Sequence, residues 1–597
     1  MHEFRVWAPY AAKVAVKAGE SSYPMNRVGD RGWWSARVES AGHGTDYGFL
    51  LDDDAKVYPD PRAKWLPDGV HGMSRVYGPS EFKWTDGAWN APPLASSVVY
   101  ELHIGTFTAE GTFDSAIERL QYLAELGVTH VEIMPVAEFP GDFGWGYDGV
   151  ALFAARHQYG GPEGLKRFVD ACHAHGLAVL LDVVYNHFGP VGNYTGRFGP
   201  YMTNRHHTPW GDAVNLEFED SDEVRRFFCD NALMWMEEFH IDGLRLDAVH
   251  EYMDRSAINF MEQLATEVEH LSAALGRRLV LIAESDLNDP RVVRPREANG
   301  YGMDAQWSDD FHHALFAVLS KNDAGKGYYA DFGSMKQLAK SLTDVFVYDS
   351  IYSHHRRKVH GRPVEQLSMH RFVGCIQNHD QVGNRATGDR LEHIVGVEAA
   401  KAALGLVLTA PFVPMLFQGE EFAASSPFQY FAHHEEEEMA RAVSEGRKRE
   451  FAAFGWPPES IPDPESRETF ERSKLRWSEI TEAGHADVLA WCRALIAYRR
   501  GSPSLNDGEL GHLRVEFSEE GRWLVMERGK VQVVLNLGQA ALERSVEAYG
   551  LDLASNAGVR VTEGSLSLPP ASIAILSRNP GLGASEHLVT NDADRLN

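Results

Sequence analysis

Cysteine is scarce in this sequence, with 4 residues in 597. No two of them form a CxxC pair, so the chain offers neither a disulfide framework nor a thiolate zinc site. The N-terminus lacks the basic stretch and apolar core of a signal peptide, and no apolar run approaches the roughly 18 residues of a membrane span. Together these absences predict a reduced, cytoplasmic protein.

Basic residues are also few relative to acidic ones. Lys and Arg number 57 against 85 Asp and Glu, so the formal net charge is -28. Such a surface repels phosphate backbones and anionic lipid, which predicts no nucleic-acid or membrane partner. The chain also lacks a Walker loop, a GxSxG nucleophile elbow and a metal-protease helix. No feature of the sequence indicates an oligomeric state.

The pattern of apolar and polar residues divides the chain into four stretches. Residues 1–92 alternate in short runs, which predicts an N-terminal β-sandwich, and residues 504–579 alternate again, which predicts a C-terminal all-β domain. Residues 580–597 form a polar tail that we expect to be disordered. The central stretch, 93–503, is interrupted by a loop excursion at 189–218 that is rich in Gly, Pro, Asn and Tyr.

The central stretch contains eight short apolar runs separated by segments of helical pattern. These runs are Val98–Leu102, Val128–Ile133, Ala178–Val184, Gly243–Leu246, Leu279–Ala283, Asp304–Trp307, Phe372–Ile376 and Val413–Phe417. Apolar runs that alternate with helices are typical of parallel strands covered on both faces. Eight such units favour an α/β fold of the (β/α)8 TIM-barrel type. A doubly wound sheet gives the same local pattern and stays open as the alternative.

Polar residues stand at the ends of seven of these runs. In a (β/α)8 barrel the carboxyl ends of the strands build the active site. A single acid after a strand is more often the N-cap of the next helix than a catalytic group. Asp182, inside the third run, could simply form a hydrogen bond to a neighbouring loop. The coincidence across strands favours catalysis. The candidates are Tyr147, His187, Arg245, Asp247, His250, Glu251, Glu284, Asp309, Asp310, His312, His313, His379, Asp380 and Gln381.

Three of these carboxylates, Asp247, Glu284 and Asp380, carry the strongest expectation. Acids that pack closely have their pKa values forced apart, which separates a nucleophile from an acid. Glycoside hydrolysis needs this division of roles. Arg245 lies two residues before Asp247 on a strand, so both side chains share a face and the guanidinium can hold the carboxylate ionised.

Four ordered motifs resemble those of the α-amylase family of glycoside hydrolases. They are Asp182–His187, Gly243–His250, Glu284–Asp286 and Gln377–Gln381, each at the end of a predicted strand. Phe4–Pro9 resembles the carbohydrate-binding-like N-terminal sandwich of branching and debranching members.

The family resemblance implies a retaining mechanism without a redox cofactor. In it Asp247 would be the nucleophile, Glu284 the general acid/base and Asp380 the transition-state stabiliser. The residues implied to line the subsite of the attacked sugar are Tyr147, His187, Arg245 and His379. Many relatives bind calcium through an Asn such as Asn186, but no dense acidic loop surrounds it here, so we expect no metal.

Within the family, three segments resemble members that hydrolyse maltooligosyltrehalose at the α-1,4 bond joining the maltooligosyl part to the terminal trehalose. These segments are Glu284–Asp289, Trp307–His313 and Asn378–Arg385. The expected ligands are therefore maltooligosyltrehalose and related α-glucans. The residues expected to recognise the trehalose end are Asp309, Asp310, His312, His313, Gln381, Asn384 and Arg385.

The closest alternative is a glycogen-branching enzyme, a transglycosylase of the same family. Such an enzyme shares the N-terminal sandwich and the segment Thr208–Asp212, but usually lacks the Gln-Asn pair that precedes His379 here. A glucan transferase would retain all three carboxylates, so the motifs leave hydrolysis and transfer both open. A non-catalytic glucan-binding protein would be expected to have lost one of the three, and all are present.

Overall fold

The N-terminal unit consists of two antiparallel sheets. The structure, a computed structural model, describes residues 1–320, 327–452 and 456–578, so the predicted tail lies outside the described residues. One sheet contains His2–Trp7, Asn26–Val28 and Trp33–Val38, and the other contains Val14–Ala18, Ser21–Pro24, Asp46–Leu51 and Ser74–Arg75. Alternate side chains such as Val14 and Val16 are buried between the sheets. The predicted sandwich is confirmed.

The eight predicted strands close into a parallel barrel. In chain order, barrel strands 1 to 8 are Val99–Leu102, His130–Ile133, Ala178–Val183, Gly243–Leu246, Val280–Ala283, Ala305–Trp307, Phe372–Gly374 and Val413–Phe417. Strand 8 pairs with strand 1 through Met415 and Val99, so the doubly wound alternative is wrong. Gly243 is required at the start of strand 4 because a Cβ there would lie 2.5 Å from a methyl carbon of Val280.

Helices surround the barrel and cover its strands. The α-helices are Ile104–Phe107, Phe113–Ile117, Leu120–Leu126, Gly161–Ala174, Thr195–Phe198, Ser221–Glu238, Phe260–Leu275, Asp309–Leu319, Met335–Asp344, His379–Gly383, Leu391–Val395, Val397–Thr409, Glu437–Ala452, Arg467–Arg472 and Ala483–Gly501. Gly127 ends one of them with a φ of 98°, a left-handed conformation that favours glycine. No helix in the described part of the chain is long and apolar enough to cross a membrane.

The excursion after strand 3 has more regular structure than its sequence predicts. It contains the short helix Thr195–Phe198 and a hairpin of Met202–Thr208 with Gly211–Val214. Most side chains of the first of these strands are at least partly exposed, so the segment lacks the apolar alternation that marks a half-buried strand. Two further two-stranded sheets pair Ala137–Glu138 with Ala151–Ala155, and Ile351–Ser353 with Lys358–His360.

The C-terminal unit is all-β, as predicted. One sheet contains Leu513–Ser518, Trp523–Arg528, Val531–Asn536, Gly550–Ala554 and Ser572–Ser577, and the other contains Leu542–Ser545, Arg560–Thr562 and Ser565–Leu568. Two buried guanidinium groups, one on the helix Ala483–Gly501 and one in the C-terminal unit, contact the end of the barrel helix Val397–Thr409. Arg499 donates to the carbonyl of Leu408 at 3.0 Å and Arg528 to that of Thr409 at 2.8 Å. Both bonds satisfy carbonyl groups at the end of a barrel helix.

Candidate active site

Arg245 lies at the carboxyl end of the barrel and its side chain is fully buried. Its Nη1 donates to both carboxylate oxygens of Asp182, at 3.0 and 2.8 Å, and to Oδ1 of Asp247 at 2.8 Å. Its Nη2 lies 3.0 Å from Oε2 of Glu284. The Trp307 ring packs against the guanidinium, with its centroid 4.2 Å from Cζ. One cation therefore holds together acids from three successive barrel strands.

Asp247 and Glu284 follow strands 4 and 5, which are neighbours in the barrel. Asp247 reaches the guanidinium because residues two apart on a strand share a face, as the sequence predicted. The backbone N–H of Ala248 donates to Oε2 of Glu284 at 2.8 Å, and Ala248 adopts a left-handed φ of 41°. The two acids thus contact adjacent nitrogens of a single guanidinium, which keeps their carboxyl groups close.

A hydrogen-bonded chain extends from Asp182 to strand 1. The Tyr147 hydroxyl donates to Oδ2 of Asp182 at 2.6 Å and lies 2.7 Å from Nε2 of His379. The other ring nitrogen of His379, Nδ1, lies 2.5 Å from Oε1 of Glu101 on strand 1. Asp182 therefore does bond to a neighbouring loop, through the Tyr147 hydroxyl, and it also contacts Arg245 at the centre of the site.

Two groups of this hydrogen-bonded chain have raised pKa values, one because of burial and the other in spite of it. Burial raises the pKa of Asp182 to about 7, against the opposing effect of the Arg245 guanidinium. Burial favours a neutral His379, but the negative charges of Asp380 and Glu101 outweigh it and raise the pKa of that imidazole to about 9. His379 is therefore the cation of the chain at neutral pH.

Asp380 follows His379 in the first turn of the helix His379–Gly383. Its Oδ1 accepts from Nδ2 of Asn384 at 3.1 Å and lies 3.5 Å from Nε2 of His379. Burial raises the pKa of Asp380, and the positive charge of His379 opposes that rise. The helix begins here because the Asn378 side chain accepts from the backbone N–H of Gln381 at 2.8 Å. Asn378 thus caps the helix on which His379 and Asp380 lie.

His187 lies on the side of the excursion hairpin. Its ring stacks on that of Trp210, with centroids 4.6 Å apart and planes inclined by 8°. Burial lowers the pKa of His187 to about 4, so the imidazole is neutral at neutral pH. Trp210 is 49% exposed, so the pair lies where the hairpin opens to solvent.

A cavity that opens to solvent lies beside the acid Glu284, on the side of strands 5 and 6. Its lining residues are Asp286, Asn288, Asp309, Asp310, His313, Tyr328, Asp331, Phe332, Tyr348, His355 and Arg356. Arg356 forms a two-bond ion pair with Asp286, including Nη1 to Oδ2 at 2.6 Å. Burial raises the pKa of Asp309 well above its usual range, and the neighbouring Glu284 adds to the rise. The cavity therefore combines acids, amides, imidazoles and aromatic rings.

Some of the predicted residues that follow strand 6 line this cavity, and one lies in the core. Asp309, Asp310 and His313 line the cavity. Asp310 also accepts from the backbone N–H groups of Val347 and Tyr348, at 2.6 and 2.9 Å, so it holds the opposite wall in place. His312 is not among the residues that line the cavity.

His312 is 2% exposed and stacks on Phe316 inside the protein, away from the cavity lining. Successive residues of a helix point in directions about 100° apart. Of this pair, only His313 therefore faces the cavity, although both were expected to recognise the ligand.

The other predicted residues lie around the same rim. His250 accepts from the backbone N–H of Asp286 at 3.3 Å and lies 4.0 Å from Glu251, so both border the Glu284 loop. Gln381 accepts from the Tyr329 hydroxyl at 3.0 Å. Arg385 lies over the ring of Phe316, 5.6 Å from its centroid. These contacts join the predicted residues to the segments and the helix that surround the three acids.

Sequence reasoning missed several residues of the site. Glu101 carried a usable signal, because an acid within a buried apolar strand is costly unless it is paired. Arg356 and Tyr348 carried none, since they lie on loops far along the chain from Asp286 and Asp310. In the described ranges, no group of three or more His, Cys, Asp or Glu side chains is arranged to hold a metal ion.

Comparison with known proteins agrees with this architecture. The family model for the α-amylase catalytic domain matches residues 75–205. A malto-oligosyltrehalose trehalohydrolase of Rhizobium sp. (strain M-11) is 47% identical over 580 residues, which cover 96% of this chain and 97% of the relative. One from Brevibacterium helvolum is 43% identical over 96% of this chain and 98% of the relative. The chain belongs to the malto-oligosyltrehalose trehalohydrolase family.

Two further matches have lower sequence identity. A 1,4-α-glucan branching enzyme of Corynebacterium jeikeium is 32% identical over 55% of this chain and 50% of its own length. A solved structure described as a putative α-amylase from Salmonella typhimurium superposes with a TM-score of 0.88 at 36% identity, over 96% of this chain and 97% of that one. The trehalohydrolases thus match 96% of the chain, whereas the branching enzyme matches about half of it.

Proposed function

We propose that this protein hydrolyses maltooligosyltrehalose at the α-1,4 bond between the maltooligosyl part and the terminal trehalose, releasing trehalose. The substrate comes from the names of near full-length relatives. The observation that carries the chemistry is the contact of one guanidinium, that of Arg245, with both Asp247 and Glu284. This contact keeps two acids with different environments beside each other, as glycoside hydrolysis requires.

The proposed reaction retains the configuration at carbon 1. Glu284 protonates the glycosidic oxygen while Asp247, with its charge stabilised by Arg245, attacks the anomeric carbon. Trehalose leaves, and water that Glu284 deprotonates then releases the maltooligosaccharide. We expect the two carboxyl groups to lie about 5–5.5 Å apart, since an inverting enzyme needs room for a water molecule between its acids.

The transition state carries positive charge on the sugar ring. Asp380 stabilises that charge in the proposed mechanism, and Asn384 orients its carboxylate through the 3.1 Å hydrogen bond. His187 offers a ring N–H group to the hydroxyls of the attacked sugar, and the His379 ring lines the same subsite. Tyr147, fixed between Asp182 and His379, completes this subsite. The donors are already held in position, so the reaction does not bear the cost of ordering them.

The trehalose part is proposed to occupy the cavity beyond Glu284. Its 1,1-linkage gives it a shape different from maltose, so recognition requires polar contacts away from the cleaved bond. Asp309, His313 and Arg356 line that cavity and present such groups. Buried polar groups that a ligand leaves unpaired discriminate strongly against it. Selectivity for the trehalose end therefore lies in the proposed cavity rather than around the nucleophile.

Replacing His313 by Ala tests this assignment. We expect kcat/KM on maltooligosyltrehalose to fall about tenfold more than kcat/KM on a plain maltooligosaccharide of the same length, because one polar contact to the trehalose is lost. His354→Ala is the matched control, since His354 is exposed and does not line the cavity. An equal loss on both substrates would assign His313 to the attacked sugar or to the fold.

Hydrolysis and glucan transfer are separated by their products. Incubation with maltooligosyltrehalose should give trehalose and a maltooligosaccharide, and incubation with amylose should give no α-1,6 branches. New branches on amylose without trehalose release would instead support the branching enzyme. We also retain the proposal of a reduced, cytoplasmic protein, which four free, buried cysteines support.

A further inference from the structure

Glu101 is a buried acid on the first barrel strand that the reaction scheme above does not use. Its side chain is 1% exposed and points toward the end of strand 7. Oε2 accepts from the backbone N–H of His379 at 2.9 Å, and Oε1 lies 2.5 Å from Nδ1 of the same residue. Two contacts from one carboxylate therefore fix both the backbone and the ring plane of His379.

The opposite side of the ring settles where the hydrogens lie. The Tyr147 hydroxyl has a single hydrogen, which it donates to Oδ2 of Asp182 at 2.6 Å. Asp182 accepts there in its ionised form, which the permanently charged Arg245 beside both its oxygens favours against the effect of burial. The Tyr147 oxygen, 2.7 Å from Nε2 of His379, must then accept a hydrogen from that nitrogen. Since Nδ1 donates to Glu101, both ring nitrogens carry a hydrogen.

We propose that Glu101 is a positioning residue that holds His379 in its doubly protonated, positively charged form during the reaction. This inference rests on the proposed function, because it concerns the same site. A positive His379 offsets the cost of keeping Asp380 ionised in a buried position, 3.5 Å away. Asp380 must be negative to stabilise the positive charge of the transition state, so Glu101 acts on catalysis through two intermediate residues.

The groups facing the His379 ring come from several elements. They are Glu101 on strand 1, His103 just after it, Glu132 on strand 2, Tyr147, Asp182 on strand 3, Arg245 on strand 4 and Asp380 beside it. Burial lowers the pKa of His103 to about 3, so that ring is neutral. The anions thus outweigh the cation Arg245 around the ring, in agreement with a His379 pKa of about 9.

Glu132 supplies a matched control. It pairs in register with Glu101 on the adjacent strand and is equally buried. Within the described part of the chain, neither of its carboxyl oxygens has a hydrogen-bond partner. Burial and the nearby charges of Glu101 and Asp182 raise its pKa well above the usual range, so this acid is neutral. Replacing it by Gln changes neither its charge nor its shape appreciably.

The test compares Glu101→Gln and Glu132→Gln with the wild type across pH 6–9.5. Without the Glu101 charge, His379 loses its proton at a lower pH than the wild-type value of about 9. The ratio of kcat/KM for Glu101→Gln to that of the wild type should therefore fall as the pH rises, by about tenfold for each unit by which the His379 pKa has dropped. Glu132→Gln should give a ratio near one at every pH.

A loss that is the same at every pH, or an equal loss in Glu132→Gln, would overturn the proposal. Glu101→Asp, which keeps the charge, should retain the wild-type shape of the profile at a lower rate. Neutron diffraction from wild-type crystals exchanged into D2O near neutrality provides a readout that needs neither variant nor turnover. Deuterium on both ring nitrogens of His379 is expected, and a single deuterium would contradict the inference. Wild-type turnover tests the proposed function separately.

Discussion

Asp247→Asn should lower kcat on maltooligosyltrehalose by about 10⁴-fold or more, while the protein stays folded. The amide is nearly isosteric with the carboxylate but cannot form the covalent bond to carbon 1. Asp247 lies at the rim of the barrel, where it pairs with Arg245 at 2.8 Å rather than packing in the apolar core. The variant therefore removes chemistry from a site whose shape is preserved.

Steady-state rates and thermal unfolding curves check this expectation together. Asp114→Asn is a suitable control, because Asp114 also pairs with an arginine, Arg167, but on the protein surface. Near-normal turnover in Asp247→Asn would remove Asp247 from the mechanism. Loss of the folded state in that variant would make the residue structural instead.

Glu284→Gln should lower kcat on maltooligosyltrehalose by about 10²- to 10⁴-fold, which is the usual contribution of general acid–base catalysis. The amide that replaces the carboxyl group keeps an oxygen for the N–H of Ala248 but has no proton to give to the leaving sugar. A substrate whose leaving group needs no proton, such as a maltooligosyl fluoride, should form the covalent intermediate at a much smaller loss.

The comparison of the two substrates separates acid catalysis from simple distortion of the site. Pre-steady-state release of fluoride measures the first step alone, before water attacks the intermediate. If the variant's rate fell as much on the fluoride substrate as on maltooligosyltrehalose, Glu284 would not be the group that protonates the leaving oxygen. The pH dependence of the first step should also flatten on the fluoride substrate, because its departure needs no acid.

The barrel was predictable because its signal is local. Each strand is a short apolar run, such as Val413–Phe417, and seven of the eight runs end at a polar residue that a buried strand would not otherwise carry. The position of the three acids proposed to be catalytic was predictable for the same reason. Arg245 and Asp247 have a spacing that places them on one face, and in the structure the guanidinium of Arg245 contacts the carboxylate of Asp247 directly.

The remaining features depend on contacts between distant parts of the chain. The pairing of Arg356 with Asp286 joins residues separated by 70 positions, and no periodicity in the sequence marks it. The hydrogen bond from His379 to Glu101 spans 278 positions and connects the end of strand 7 to strand 1. His312 and His313 look equivalent in the sequence, but helix geometry sends one to the core and the other to the cavity.

Proton NMR of the reaction as it starts tests the central claim most directly. With maltooligosyltrehalose as substrate, the anomeric signal of free trehalose should grow at the same rate as that of a new reducing end. That reducing end should first appear as the α-anomer and only later equilibrate, because two displacements at carbon 1 retain its configuration. A reducing end that first appears as the β-anomer, or turnover without free trehalose, would contradict the account.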